Sequence, residues 1–196
     1  MTRIVFCTGR SDAGRAALSP VQRAFGEALA RPAGARLWRS SFPYDAPAAW
    51  RPVGLLRASA ANAREVLAAR RPGFREAVGP RVRDAIVGPE PALVLAGSCG
   101  LELLARSGAL REGDPVRVVA YGPAPAPVAL PPVPVTAVIG RRDLLARALW
   151  RGPAERADCG HLDYLTDPAL LRIARRELAQ LEREHAPDGS RCRDAP

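Results

Sequence analysis

Short apolar runs and longer amphipathic stretches alternate along the chain. The apolar runs are rich in Val, Ile, Leu and Ala, and their length is typical of strands buried on both faces. We predict such strands over residues 3–7, 35–42, 92–96, 116–120 and 133–139. Apolar residues at helical spacing predict helices over residues 20–30, 55–70, 74–87, 101–106, 144–150 and 168–185. This alternation predicts an α/β protein, with a mostly parallel sheet that helices cover on both faces.

A length of 196 residues and an apolar content of 47% predict one folded domain. We assign that domain to residues 1–186, and we expect the polar segment 187–196 to be a flexible tail. The interval 122–134 is rich in Pro and Ala, which predicts an extended crossing without a helix. No apolar run approaches the roughly 20 residues of a membrane span, and the apolar run at the N-terminus is too short for a signal peptide. We therefore expect a soluble, cytoplasmic protein that does not bind membranes.

The formal net charge is +9, and all 29 basic residues are arginine. The absence of lysine excludes a Schiff base, a Walker A lysine and a Ser-Lys dyad. The arginines are scattered and aromatic residues are only 5% of the chain, so a nucleic-acid platform is not favoured. The four cysteines form no C-x-x-C pair, which argues against a zinc or thioredoxin-like site.

The segment Ala96-Gly-Ser-Cys-Gly100 joins a predicted strand to a predicted helix. A serine on such a sharp turn projects its hydroxyl outward, and large side chains two residues before or after it would clash. The N-terminus of the following helix directs free N–H groups and a positive dipole end toward the hydroxyl, where they would stabilise an oxyanion. A simple turn of small residues is the alternative interpretation of this segment alone.

The pattern small-x-Ser-x-Gly around Ser98 resembles the nucleophile elbow of the α/β-hydrolase superfamily, with Ala in place of the first Gly. The order of residues downstream is also similar to that superfamily, in which the serine is followed by an acid and then by a histidine. Asp143 follows the predicted strand 133–139, and His161 lies 18 positions later, ahead of the last predicted helix. The resemblance implies a small, lid-poor serine hydrolase with Ser98, Asp143 and His161 as its catalytic residues.

The resemblance also implies the groups that surround the reacting carbonyl. The amide of Cys99, directly after the nucleophile, would be one oxyanion donor, and the amide of Arg10 the other. The superfamily often has His-Gly on the loop after this strand, where this chain has Thr8 and Gly9. We expect Thr8, Gly9 and Tyr44 to bind substrate, although Tyr44 could instead pack on the sheet's edge.

Several alternatives for these residues stay open. Asp143 could cap the helix that follows it, act on the histidine, or do both. Asp158 and Asp163 are rival acids near His161, whereas Asp167 is a natural N-cap for the last helix. His185 lies at a helix C-terminus, where a cation is favourable for dipole reasons alone. Cys99 is a chemically possible nucleophile, but Leu101 two residues later is too large for the tight turn.

Together these residues predict a serine hydrolase that cleaves an ester, a thioester or an amide through an acyl-enzyme. The triad chemistry requires no cofactor and no metal, and the substrate would be a small-molecule or carrier-bound acyl group. The alternative is a non-catalytic binding protein with the same α/β-hydrolase fold. A charge-driven binder of nucleic acid or acidic partners is a further alternative, which predicts steep salt dependence of association.

Overall fold

The computed structural model describes residues 1–9, 15–42, 49–125 and 129–186. The predicted tail 187–196 lies outside them, as do Arg10 and Tyr44. The strands are β1 Arg3–Thr8, β2 Arg36–Phe42, β3 Ala92–Gly97, β4 Val116–Tyr121, β5 Val135–Gly140 and β6 Glu155–Ala157. The helices are α1 Pro20–Ala33, α2 Leu55–Ala69, α3 Phe74–Ile86, α4 Gly100–Ser107, α5 Leu144–Leu149 and α6 Pro168–Glu184, with a 3₁₀ helix at Tyr164–Thr166.

The six strands form one sheet in the order β2-β1-β3-β4-β5-β6, and every neighbouring pair is parallel. The predicted α/β class with a parallel sheet is therefore confirmed. Because all strands run in the same direction, their carboxyl ends lie along one edge. The loops that carry Ser98, Asp143 and His161 all leave from that edge.

Side chains that alternate along the strands build a core on each face of the sheet. On one face Phe6, Leu95 and Val119 pack in the cluster that includes residues of α1 and α6. On the other face Val94 and Val118 pack in the cluster that includes residues of α3 and α4. The central strands β1 and β3 are buried almost throughout, which explains why their sequences are continuous apolar runs rather than alternating ones.

Local capping signals set the ends of the two helices that cover one face. Ser19 forms a capping box with Gln22 at the start of α1, and α1 ends where Gly34 adopts a left-handed conformation with φ 62°. Asp167 caps α6 through the amide of Ala169, with a proline at the first helical position. The predicted capping role of Asp167 is thus confirmed.

The sequence analysis missed β6. Residues Glu155–Ala157 have no strand-like apolar pattern, and they pair with Val138–Gly140 of β5 only because the chain returns along that edge. From the sequence we predict a loop over residues 157–163, and this is wrong at its first residue, since Ala157 is the last residue of β6 and is buried. The carbonyl of Ala157 accepts a hydrogen bond from the N–H of Arg141, in the turn after β5, at 2.8 Å.

The crossing from β4 to β5 contains no helix in its described parts, 122–125 and 129–134, as its composition predicts. Within the described ranges, no helix has both the length and the apolar character needed to cross a bilayer.

Candidate active site

The turn between β3 and α4 presents Ser98. Its backbone φ is 51°, the sole positive value among the non-glycine residues described, so the serine adopts the strained conformation expected of a sharp strand-to-helix turn. Two hydrogen bonds join the turn to the end of β4 and the segment that follows it. Ser98 N–H donates to the Tyr121 carbonyl at 3.1 Å, and Ala124 N–H donates to the Ser98 carbonyl at 3.2 Å. This rigid support offsets the backbone strain.

Glycine at position 100 is required by its surroundings. A Cβ added there would lie 1.8 Å from the carbonyl oxygen of Cys7, at the end of β1. The sequence argument expected the small residues 96 and 100 to oppose each other across the turn. The tightest contact of Gly100 is instead with the backbone of the adjacent strand, which holds α4 against the end of β1.

The hydroxyl, the imidazole and the carboxylate predicted from the sequence lie in one hydrogen-bonded row. Ser98 Oγ is 3.3 Å from His161 Nε2, and His161 Nδ1 is 2.9 Å from Asp143 Oδ2. The imidazole side chain is 26% exposed and the carboxylate 0%, so solvent reaches the ring while the acid is sealed behind it. Such a row matches the orientation of a nucleophile, a base and an orienting acid.

Asp143 uses both carboxylate oxygens, and each has a different task. Oδ1 accepts from Ala146 N–H at 2.9 Å and caps α5, while Oδ2 faces His161 and accepts from the Tyr164 hydroxyl at 2.7 Å. Burial opposes ionisation, but the hydrogen bonds from Ala146, Tyr164 and His161 outweigh it and lower the pKa of the Asp143 carboxyl below its ordinary value. The two roles considered for Asp143, capping and pairing with the histidine, therefore coexist in this geometry.

Tyr164 is a residue that the sequence analysis missed. Its hydroxyl donates to Asp143 and accepts from Gly140 N–H at 2.7 Å, so it ties the end of β5 to the acid. Burial and the adjacent carboxylate hold the pKa of the Tyr164 phenol well above its ordinary value, which keeps it a donor. Gly122 leaves room for the ring, since a Cβ there would lie 2.6 Å from it. A tyrosine three residues after the candidate base is the sequence signal that could have indicated it.

The rival residues are placed elsewhere or are unsuited to the role. Asp158 and Asp163 are exposed, and the imidazole of His161 pairs with Asp143 instead. Burial raises the pKa of the Cys99 thiol to about 12, so this cysteine is a protonated, weak nucleophile at neutral pH. His185 Nδ1 lies 3.0 Å from the Leu181 carbonyl at the end of α6, in keeping with the structural role expected for it.

The oxyanion side of the site is described in part. The N–H of Cys99 makes no hydrogen bond to the backbone of any described residue. Thr8 pairs with Gly97 in the sheet, so Thr8 and Gly9 lie beside the serine turn, and the Thr8 hydroxyl is 2.9 Å from that of Ser41. The predicted donor Arg10 and the predicted contact Tyr44 lie outside the described residues.

Asn62 on α2 is a second residue that the sequence analysis missed. Its Oδ1 is buried, has no hydrogen-bond partner among the described residues and faces Gly9, where a Cβ would lie 2.4 Å from that oxygen and 2.5 Å from Cys99 Sγ. Gly9 is therefore held in close contact with α2 and the serine turn. No sequence signal distinguishes Asn62 from the other polar residues of its helix.

Comparison with known proteins finds likeness in structure but not in sequence. No family model and no curated protein matches the chain. A dienelactone hydrolase from Anabaena variabilis superposes with a TM-score of 0.54 at 19% identity, over 93% of this chain and 86% of that one. A protein assigned to the α/β superfamily of hydrolases from Xanthomonas campestris pv. campestris gives 0.43 at 19% identity, over 93% of this chain and 97% of that one. A carboxylesterase from Mesorhizobium loti gives a TM-score of 0.43 at 16% identity, over 91% of this chain and 87% of that one.

The first of these likenesses extends over nearly the whole of both chains, and at this level of identity it is evidence about fold and not about activity. It agrees with the all-parallel sheet, the helices on both faces and the serine turn at the carboxyl edge. The chain has the α/β-hydrolase fold.

Proposed function

We propose that this protein is a serine hydrolase that cleaves an ester or thioester, or an amide, through an acyl-enzyme. The observation that carries the proposal is the row Ser98 Oγ, His161 Nε2 and Nδ1, and Asp143 Oδ2, with separations of 3.3 and 2.9 Å. Three side chains from distant parts of the chain meet there at the edge of the sheet where α/β proteins bind their ligands. The first separation is slightly long for a hydrogen bond, as is common in sites without substrate.

In the proposed mechanism His161 is first a base and then an acid. The Asp143 carboxylate has no proton to donate to the ring, so it favours the tautomer with hydrogen on Nδ1 and leaves the Nε2 lone pair facing Ser98. As Ser98 Oγ attacks the carbonyl carbon, its proton passes to Nε2. The imidazolium then donates that proton to the leaving alcohol, thiol or amine, and the acyl group stays on the serine.

Deacylation repeats these steps with water. His161 takes a proton from water, the hydroxide attacks the acyl carbonyl, and the proton returns to Ser98 Oγ as the carboxylic acid leaves. In both tetrahedral intermediates the negative oxygen would be held by Cys99 N–H at the start of α4. The amide of Arg10 remains the predicted second donor.

The ester class is favoured for the bond that is cleaved. Dienelactone hydrolase is by its name an enzyme that hydrolyses a lactone, which is a cyclic ester. The described parts of the interval 122–134 form no helix that could cover the serine, so we propose an open site that accepts short acyl groups. Hydrolysis of acetyl, butyryl and octanoyl p-nitrophenyl esters tests this, and a marked preference for octanoyl would contradict it.

The decisive experiment is covalent labelling by a fluorophosphonate probe. We expect the wild type and Cys99→Ala to be labelled, and Ser98→Ala to remain unlabelled while keeping the wild-type circular dichroism spectrum. Cys99→Ala is the matched control, because it changes the adjacent residue and leaves the backbone donor in place. A folded wild type that is not labelled would favour the non-catalytic binding protein instead.

The roles of the acid and the base are tested by kinetics. Asp143→Asn would let the ring adopt the wrong tautomer, and we expect kcat to fall by about 10⁴-fold. His161→Ala should abolish measurable turnover of p-nitrophenyl acetate. Activity of His161→Ala within a few-fold of wild type would refute the assignment of the base.

A further inference from the structure

A concavity lined by arginines lies at the β6 edge of the sheet, apart from Ser98. It has a volume of about 460 Å³. A smaller one of about 320 Å³ shares Arg141 and Arg156 with it and adds Arg147. Its lining residues come from the turn after β5, from the end of β6 and from the start of α6: Arg141, Arg156, Ala157, Asp158, Asp167, Pro168, Ala169 and Arg172. We call this concavity the arginine cleft.

The arginines of this cleft are not used by the fold. The guanidinium groups of Arg141, Arg156 and Arg172 are exposed and form no ion pair with any residue of the described ranges. Elsewhere several arginines are neutralised, as where Arg117 bonds Glu177 at 2.7 Å. Like charges gathered in one concavity repel each other, so a structural role alone gives no reason for their placement.

The acidic residues of the cleft do not neutralise it. Asp167 is engaged by the backbone, because its carboxylate accepts from Ala169 N–H at 2.7 Å and from Asp158 N–H at 2.9 Å. Asp158 is exposed and its carboxylate bonds no described residue. Three arginines and two aspartates line the cleft, and Arg147 lines the adjoining concavity, so arginines outnumber aspartates by two over both concavities together.

We propose that the arginine cleft binds the phosphate or diphosphate group of a small-molecule ligand. The planar guanidinium presents paired N–H donors that match two phosphate oxygens, and a dianionic group would balance the two excess charges. The volume of the cleft is within the range of small-molecule sites. The turns that present Arg141 and Asp158 continue along the chain to Asp143 and His161. The proposal does not rest on the proposed hydrolase activity.

Titration calorimetry with inorganic pyrophosphate tests the proposal directly, at constant ionic strength and without any substrate. We expect saturable one-to-one binding by the wild type, weakened about tenfold in each of Arg141→Gln and Arg156→Gln. Arg156→Lys should retain only part of the affinity, because it keeps the charge and loses the paired donors. These exposed side chains have no described partners, so the variants should keep the wild-type melting temperature without ligand.

Arg31→Gln is the matched control. Arg31 is exposed in the last turn of α1, near the start of β2 and hence at the amino edge of the sheet, and it has no ion pair with a described residue. We expect its affinity to equal that of the wild type. Binding that does not saturate, or that falls equally in Arg31→Gln and in the variants of the cleft, would overturn the proposal and assign the effect to diffuse charge.

Discussion

Replacing Tyr164 by phenylalanine removes a single oxygen from the centre of the candidate site. That oxygen donates to Asp143 Oδ2 at 2.7 Å and accepts from Gly140 N–H at 2.7 Å, and both bonds are buried. Tyr164→Phe therefore leaves the carboxylate with one donor fewer and leaves the buried N–H of Gly140 without its acceptor, while the ring can keep its position against Gly122.

The expected cost follows from these two losses. A hydrogen bond to a charged group contributes about 1.5–3 kcal/mol, and a buried N–H left unpaired costs about 1–3 kcal/mol. The two losses share one atom and are not fully additive. We therefore expect the free energy of unfolding to fall by about 3–4 kcal/mol, which most domains survive in the folded state.

The pH dependence of stability separates the loss of the hydrogen bond to the Asp143 carboxylate from the loss of the acceptor for Gly140 N–H. The pKa of Asp143 is lower in the folded protein than in the unfolded chain, where it is about 3.9. The ionised carboxylate therefore stabilises the fold at pH values above the unfolded pKa, and this stabilisation is lost as the pH falls through the folded pKa. Loss of the Tyr164 donor raises the folded pKa. The difference between variant and wild type should thus be complete at pH 7 and narrow as the pH falls from the folded pKa of the variant toward the lower folded pKa of the wild type.

Urea denaturation at pH 7 and in steps toward acid pH measures both quantities. Tyr121→Phe is the control, because the Tyr121 ring is the buried neighbour of Tyr164, with centroids 5.8 Å apart, and its hydroxyl lies beside Gln22. We expect the control to cost only about 1 kcal/mol and to show no comparable pH dependence. Equal losses in the two variants, or a loss in Tyr164→Phe that does not shrink at any pH down to the acid unfolding of the wild type, would refute the reasoning.

Contacts that do not involve Asp143 give three further predictions. Gly100→Ala would place a methyl group 1.8 Å from the Cys7 carbonyl oxygen, so we expect a loss of about 3 kcal/mol or more and no probe labelling, measured by urea denaturation and the fluorophosphonate assay. Arg117→Ala would remove the guanidinium that bonds Glu177 Oε2 at 2.7 Å and leave the buried carboxylate paired through Oε1 with Arg176, so we expect a loss of about 1.5–3 kcal/mol at pH 7. The loss should shrink toward acid pH as Glu177 becomes protonated, because the pKa of Glu177 is lowered in the fold. Burial raises the pKa of the Cys99 thiol to about 12 and that of Cys7 still further, so alkylation at pH 8 followed by peptide mapping should modify neither cysteine until the protein is unfolded.

Each of these has a result that would count against it. A Gly100→Ala variant as stable as the wild type would mean that α4 can move away from β1. An Arg117→Ala loss that grows toward acid pH would show that the charge of Glu177 is not what the arginine stabilises. Rapid alkylation of Cys99 in the native protein would reopen its candidacy as the nucleophile.

Most of the fold could be predicted because the information is local. The apolar runs of β1 and β3 are continuous because those strands are covered on both faces, and the boundaries of α1 and α6 follow from caps within a few residues. The serine turn could be recognised for the same reason, since the backbone strain at Ser98 and the closeness of Gly100 to β1 leave a five-residue pattern.

What the sequence by itself determined is therefore the six α-helices and the first five strands, their alternation into a parallel sheet, and the three side chains proposed for catalysis. Only the tertiary structure decided that Glu155–Ala157 becomes a strand, that Tyr164 bonds Asp143, and that Arg141, Arg156 and Arg172 line one cleft. The physical reason is that dihedral preference and burial periodicity act over a few residues. Pairing along a sheet edge and convergence of loops depend instead on how the whole sheet packs, which no short segment records.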